Sequence, residues 1–389
     1  MKRLSRAYAA HVIARLRSES QRLLPSSLRT VPRGFCAHAV DCVDPRQIAA
    51  VDAPHVITRR PPNTIDATVD WEFTTRLSVA SPATFVATLE YGRALEHAVL
   101  SNEGTLIADL SIEPGVVPGN AVEHSALHRR TIPRLETFDA EIVVASAFGG
   151  SDNYFHWMTE VLPRLGILAR SGRSATHAAV LVNALDKPFH RETLSTLGVA
   201  PLLDATAHPY VRARELVVPS LPGIMGDVTR ASCDFLRDTF LPSTSDVATA
   251  RIYITRSDAR YRRLRNEREV RAVLDPLGFV TVDCTELSVG EQAELFASAS
   301  VVIAPHGAGL TNIVFCRPGA KVVEFFSPAY VNGCYWGIAN HVGLEYWYLL
   351  GEGERPAQDA LHAHAADDLE VNIATLRRLM DAAQLSRSG

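Results

Sequence analysis

From Glu141 onward the chain alternates apolar runs of strand length with segments of helix length, in two successive series. No other feature of the sequence constrains the fold as strongly. Strands separated by helices are joined by right-handed crossovers into parallel sheets. The first series places strands over 141–147, 178–182 and 215–218, with helical segments over 152–170 and 188–197 between them. A helix-like stretch over 230–240 follows, and 241–250, rich in Ser, Thr and Ala, reads as a linker. The second series places strands over 251–255, 278–283, 300–304, 321–326 and 344–350, with helices over 266–274, 289–297 and 310–315, then a last helix near 367–384. Two such series predict two α/β domains facing across a cleft, with ligands at the carboxyl ends of the strands, where the strand-to-helix loops converge.

The first 140 residues read differently. Residues 1–30 suggest a basic helix: positions 1–33 carry eight Lys or Arg against the single Glu19. Such a helix is either solvated, the simpler reading, or laid against an anionic membrane surface as a peripheral contact. From 31 to about 140, Pro and Gly recur between stretches rich in Thr, Val and aromatics (71–79, 85–91, 105–110), which suit strands. Asn102-Glu103-Gly104 resembles a hairpin connection. The expected division is a basic helix over 1–30, an N-terminal domain over 31–240 (β-rich over 31–140, α/β over 141–240), and a C-terminal Rossmann-like domain over 251–389.

At 389 residues the chain is long enough for two or three domains. A formal net charge of −4 argues against a general nucleic-acid binder. Only Lys2, Lys187 and Lys321 are lysines, so nearly every cation is an arginine, and any one arginine is a weaker functional signal than usual. No run of 18 apolar residues occurs, which excludes a spanning helix by length, and no apolar segment of secretory type follows the basic start. The expected location is the cytoplasm, extending to the inner face of the membrane if the basic segment docks there. The six cysteines form no C-x-x-C pair, so neither a zinc ribbon nor a disulfide framework is indicated.

Three segments carry chemistry. In Val301-Val302-Ile303-Ala304-Pro305-His306-Gly307-Ala308-Gly309-Leu310-Thr311-Asn312 a buried strand ends in a Gly-rich turn that opens a helix. Small residues admit a ligand to the backbone there, and free N–H groups attract phosphate. In Arg251-Ile252-Tyr253-Ile254-Thr255-Arg256 a strand delivers Arg256 to its end, and Arg260, Arg262, Arg263, Arg265 and Asn266 follow. Guanidinium groups in that position suit a diphosphate. In the third segment Asp152 is placed to cap a helix, and His156 and Glu160, four apart, share its face, an arrangement that can serve as a general base. Metal ligation has little support, because no Asp-x-Asp occurs; His362-Ala363-His364 with Asp367 and Asp368 lies in a polar tail and reads as solvated. The Tyr-x-x-x-Lys pair of a sugar-nucleotide epimerase is also missing.

Taken together, Asn153-Tyr154-Phe155-His156-Trp157 with Glu160, Leu162 and Pro163, then Tyr253-Ile254-Thr255-Arg256, Asn266-Glu267, Gly278-Phe279, Pro305 through Asn312, and Val323-Glu324 resemble glycosyltransferase family 61 in order and spacing. Its members include bacterial capsular-polysaccharide-type, plant xylan-type and animal transferases. The resemblance implies a GT-B-like fold and an inverting, metal-independent transferase for a hexosyl or pentosyl group. It would move a sugar from a nucleotide-sugar, expected to be UDP-linked, to a hydroxyl of a glycan acceptor in surface polysaccharide biosynthesis. No further cofactor is required, and the 31–240 domain takes the acceptor side. Carried over by position, His306, Gly307, Ala308, Gly309 and Asn312 fall at the donor's diphosphate and nucleotide. Arg256 neutralises the leaving diphosphate, Asn266 joins the donor site, and Glu324 holds the ribose hydroxyls. Glu160 or His156 is the candidate base, with Asp152 third. A chain that keeps this fold as a binding or scaffold protein without turnover is the alternative.

Overall fold

The computed structural model describes residues 32, 34–114, 116, 120–129, 131–176, 178–241, 248–257, 259–356 and 366–386. The expected basic helix over 1–30, most of the linker, and His362 and His364 lie outside them. The chain is α/β and forms two compact units: Met1–Pro54 with Pro82–Met225, and His55–Ser81 with Gly226–Gly389. The helix Arg230–Phe240, read from sequence as part of the N-terminal domain, falls in the second unit. There it packs against the 3-10 helix Ala308–Phe315 and the helix Cys334–Val342.

The first unit is built on one mixed sheet. Its strands are β1 (Phe35–Cys36), β2 (Ile48–Asp52), β3 (Thr84–Glu90), β4 (Arg93–Leu95), β5 (Ala98–Leu100), β6 (Leu106–Ile107), β7 (Glu136–Val144), β8 (Ala179–Val182), β9 (Leu202–Asp204) and β10 (Tyr210–Pro219). β10 is the seam. Along one edge it runs parallel to β7, pairing Leu216 with Ile142. Along the other it pairs antiparallel with β4 (Val211 with Ala94) and β3 (Leu216 with Leu89). β8 and β9 continue the parallel side, so the order β9-β8-β7-β10 reads third, second, first, fourth in the chain. That is the first part of the doubly wound order, with a switch point between β7 and β10. Outside 55–81, the β-rich stretch is thus no separate layer but a mainly antiparallel extension of the same sheet, with β1 parallel to β6 at its end. Ile142, Val143 and Val144 are buried, as the middle of a sheet covered on both faces requires.

The second unit holds a five-stranded sheet, β11 (Ala250–Ile254), β12 (Phe279–Val282), β13 (Ala299–Pro305), β14 (Lys321–Phe326) and β15 (Glu345–Leu350). All pairings are parallel and the order is β12-β11-β13-β14-β15. This is the doubly wound order 2-1-3-4-5, whose switch point lies between β11 and β13. Helices Glu267–Leu274 and Ile373–Ala382 cover one face, where Val270, Leu274, Leu376 and Leu379 pack on Tyr253, Ile303, Val323 and Phe325.

The segment 55–81 departs from the sequence reading. The strand expected over 71–79 is instead a helix, Trp71–Thr74, followed by the strand Ser78–Ser81, which pairs antiparallel with His55–Thr58. Asp70 sets the helix: its carboxylate accepts the Glu72 N–H at 2.9 Å. Phe73 is then fully buried, its ring 4.7 Å from Tyr348, 5.4 Å from Trp336 and 6.2 Å from Phe326. Main-chain bonds fix the segment to β15: Asn63 N–H donates to Tyr346 O at 2.8 Å and Tyr348 N–H to Asn63 O at 3.1 Å. Among the described residues, no helix is long and apolar enough to cross a membrane.

Candidate functional site

In the second unit, the loops leaving β11 and β13 flank the switch point, where doubly wound sheets take their ligands. The β13 loop places His306 and Gly307 ahead of the helix Ala308–Phe315, whose start has no side-chain cap. Arg256 arrives from the end of β11 and lies directly on Gly307: a Cβ added there would sit 1.7 Å from Arg256 Nη1 and 2.7 Å from its Cζ. Only glycine leaves room for the guanidinium. Arg256 is held from behind, its Nε donating to Arg262 O at 3.3 Å and its Nη2 to Tyr261 O at 3.1 Å. The structure therefore brings Arg256, His306, Gly307, Ala308 and Gly309 together.

His306 is buried between Phe326, stacked at 5.2 Å, and the rings of Tyr330 (5.3 Å) and Tyr335 (5.2 Å). Its Nδ1 is hydrogen-bonded to Glu324 Oε1, and Tyr346 OH donates to Glu324 Oε2. Burial, with the Arg262 and Arg256 cations, holds the imidazole well below its ordinary pKa, and burial pushes the Glu324 carboxyl up. When the pair holds one shared proton beyond the Nε2 hydrogen, Nε2 is a donor whichever partner carries that proton. An N–H and a guanidinium side by side form an anion site.

Three of the expected donor contacts are engaged elsewhere. Glu324 does not present itself to a ribose: it is fully buried, and its two oxygens are taken by His306 and Tyr346. Asn266 clasps the Val371 main chain, donating to Val371 O at 2.7 Å and accepting its N–H at 3.0 Å. Asn312 is fully buried and donates to Gln292 Oε1 and Gly309 O, which shapes the glycine turn from within. In each case the strand or helix register turns the side chain inward, and a main-chain or side-chain partner satisfies it there.

In the first unit, the loop after β7 carries the other candidates. Asn153, not Asp152, caps the helix Tyr154–His156, accepting the Phe155 N–H at 2.9 Å. Asp152 is largely exposed and lies 3.7 Å from Lys187 Nζ, away from the His156–Glu160 face. The helix widens to a π turn over Trp157–Val161 before Leu162–Arg170, a deviation frequent at functional sites. His156 Nδ1 and Glu160 Oε2 are 3.0 Å apart. His156 is the more accessible partner, 20% exposed against 8% for Glu160. Gly149, at φ 76°, lies under the ring; a Cβ there would meet His156 Cδ2 at 2.7 Å. A carboxylate on Nδ1 fixes the tautomer and leaves Nε2 to accept a proton.

Sequence reasoning does not reach Arg164, and it names Arg262 only as one of the arginines that follow β11. Arg164 is buried and, among the described residues, pairs with no carboxylate; Nε and Nη2 donate to Pro219 O at 3.0 and 2.7 Å, and Nη1 donates to Ser146 O. It ties the loop after β7 to the end of β10, and burial pulls its pKa down to about 9. The only hint of it in sequence is a charge inside the apolar run 161–168. Arg262 sits at φ 56°, and its guanidinium carbon lies 4.8 Å from the Tyr330 ring and 5.0 Å from Tyr261.

Among the described residues, one cluster has the composition of a metal site: His97, Glu113 and His124. Both nitrogens of His124 are already used. Nδ1 accepts the Ala126 N–H at 3.1 Å, so the ring hydrogen sits on Nε2 and points to Ser111 O at 2.7 Å. A cation would have to break both bonds. Glu113, raised by burial, is brought down overall to about 2 by His97 and the Ser125 N–H and O–H. The cluster is a complete hydrogen-bond network and does not fit a metal.

Residues 154–323 match the family model described as Glycosyltransferase 61. The chain is similar to Beta-1,2-xylosyltransferase RCN11 of Oryza sativa subsp. japonica, 31% identical over 138 residues, which covers 31% of this chain and 26% of that protein. It is also similar to Beta-1,2-xylosyltransferase XAX1 of the same rice, 28% identical over 321 residues, covering 68% of this chain and 54% of that protein. The chain thus spans from about a quarter to just over half the length of these relatives. The matched stretch contains His156, Glu160, Arg256 and His306.

Proposed function

We propose that the chain is a glycosyltransferase of family 61 that moves a sugar, with inversion, from a nucleoside-diphosphate sugar to a hydroxyl of a glycan acceptor. One observation carries this reading: Arg256 is seated on the Gly307 backbone beside His306, at the switch point of a parallel sheet, inside the family-matched stretch. The parallel orders of the two sheets support a GT-B-type enzyme with two Rossmann-like units.

In the proposed reaction the acceptor O–H attacks the anomeric carbon as the bond to the diphosphate oxygen breaks. The hydroxyl proton passes to His156 Nε2, and Glu160 stabilises the resulting imidazolium through Nδ1–H. The electron pair of the broken bond leaves on the diphosphate, where Arg256 and the His306 Nε2–H balance the charge that a metal balances in other transferases. Retaining Asp152 as a base is not supported by its position. The relatives' printed activity makes a pentosyl donor, UDP-xylose, the first to test, with UDP as the expected nucleotide.

The test is a donor panel assayed with xylo-oligosaccharide and other glycan acceptors, together with thermal shifts by nucleoside diphosphates in the presence of chelator. Transfer from one donor, with a chelator-insensitive shift by its nucleotide, supports the reading. A nucleotide shift without transfer for any donor would instead favour the binding or scaffold role, and no shift with any nucleotide would refute the donor site itself.

A further inference from the structure

We infer that Cys36 and Cys42 are a redox site, a dithiol that a disulfide of a small thiol, glutathione disulfide, closes into a bond fastening the edge strand β1 to the turn behind it. The site lies in the first unit and does not depend on the proposed transfer reaction. No C-x-x-C spacing announces the pair in the sequence.

Where the sulfurs point is the first observation. Both thiols donate to one acceptor, His38 O, Cys36 Sγ at 3.1 Å and Cys42 Sγ at 3.6 Å. Cys42 Sγ is also within hydrogen-bonding reach of the Cys36 thiol. Cys36 is half-buried and Cys42 exposed, while Cys233, Cys316 and Cys334 are buried. The second observation is how firmly the turn is held. Ala39 is fully buried, and its N–H donates to both Asp109 carboxylate oxygens at 3.0 Å. Val43 N–H closes on Ala39 O at 2.9 Å, and Val43 packs in the core with Ile107 and Leu110. β1 is held more lightly: among the described residues it pairs with β6 at Phe35 and Cys36 only. An anchored turn thus presents one thiol to another on a short edge strand.

Desolvation, and then the hydrogen bond to Cys36, push the Cys42 thiol up to about 12, so Cys36 attacks first. Its thiolate attacks one sulfur of glutathione disulfide, that S–S bond breaks, and one glutathione leaves as thiolate and takes up a proton. Cys42 then gives its proton to water and attacks Cys36 Sγ, and the second glutathione leaves in the same way. Two protein thiols are oxidised and one glutathione disulfide is reduced to two glutathiones. His38 O keeps the Asp41 N–H at 3.0 Å, so losing both S–H donors does not leave that carbonyl unsatisfied.

The experiment equilibrates the full chain in glutathione buffers, once folded and once in denaturant, and reads one tryptic peptide by mass. Cleavage after Arg33 and Arg46 releases residues 34–46 with both cysteines and no other. The expected result is a peptide lighter by two hydrogens, with an equilibrium constant for closing the bond about 10- to 100-fold larger in the folded protein than in denaturant. By linkage the oxidised protein then resists denaturant by the same factor. Cys42→Ser should stop at a single glutathione on Cys36. A constant no larger in the folded protein than in denaturant overturns the inference, because the fold then does not bring the thiols together. So does a folded protein that carries glutathione on both cysteines without a bond between them, which would mark two independent surface thiols.

Discussion

Gly307→Ala tests the anion site through a residue that carries no charge. The φ of Gly307, 176°, is extended backbone that alanine accepts, so the effect comes only from the new methyl. That carbon would lie 1.7 Å from Arg256 Nη1, and ordinary contact needs about 3.5 Å, so the guanidinium must retreat by about 2 Å. A phosphate hydrogen bond near 2.8 Å does not survive such a shift. Its loss is worth about 1.5–3 kcal/mol, or roughly 10- to 150-fold in affinity for a nucleoside diphosphate. The fold should lose about 1–2 kcal/mol at most, because the displaced group is the end of a flexible side chain giving up its bonds to Tyr261 O and Arg262 O. Calorimetric titration of UDP into the native protein, Gly307→Ala, Arg256→Ala and the double variant completes a cycle. If the methyl acts through Arg256, it adds nothing once Arg256 is gone. Native affinity in Gly307→Ala, or fully additive losses in the double variant, would refute the geometry.

Three further outcomes are expected. His156→Ala should lower kcat by about 10²- to 10⁴-fold, the range for a general base, and Glu160→Gln should lower it less, with UDP affinity unchanged in both; native turnover in His156→Ala would remove it from the mechanism. Phe73→Ala should cost about 3–5 kcal/mol in denaturant unfolding, as for a fully buried aromatic, and a cost below about 1 kcal/mol would mean that the aromatic cluster does not hold the second unit. Glu324, with its pKa raised by burial, stays protonated in the fold at pH values where the unfolded carboxyl, near 4.5, ionises; unfolding then releases a proton and stability falls as pH rises past that value. His306, held below 6.5, gives the opposite slope, losing stability as pH falls below that value. Glu324→Gln should flatten the alkaline decline in thermal unfolding across about pH 5 to 8, and parallel curves for the two proteins would contradict it.

The parallel strands of the second unit were legible because they are buried on both faces. Val301 through Ala304 then reads as an unbroken apolar run, and Val322 through Phe326 as one interrupted only by Glu324. The meeting of Arg256 with the glycine turn was legible for a related reason: both sit at the ends of adjacent parallel strands. Residues 71–79 were misread because Trp71, Phe73, Thr74 and Thr75 have strand-like composition, while the helix depends on the Asp70 cap and on partners such as Tyr348, far along the chain. Asn266, Asn312 and Glu324 illustrate a different limit. A polar side chain in a motif can face a ligand or be satisfied inside the fold, and residue type does not distinguish the two. Arg262 is named in sequence only as one of several arginines after β11, because a left-handed backbone turn at a non-glycine residue leaves no mark there.

The excursion of 55–81 into the second unit has a consequence for synthesis on the ribosome. Asp70 bonds Tyr348, 278 positions further on, and Phe73 packs on the same ring. At about 5–20 residues per second, on the order of 15 to 55 s separate the emergence of the segment from that of its acceptor strand. During that interval Trp71 and Phe73 have no native surface to cover them, while eight of the first unit's ten strands are still being made. A nascent chain of this protein therefore carries an apolar loop in waiting, and its yield in a cell should depend on chaperone capacity more than the size of either unit alone would suggest.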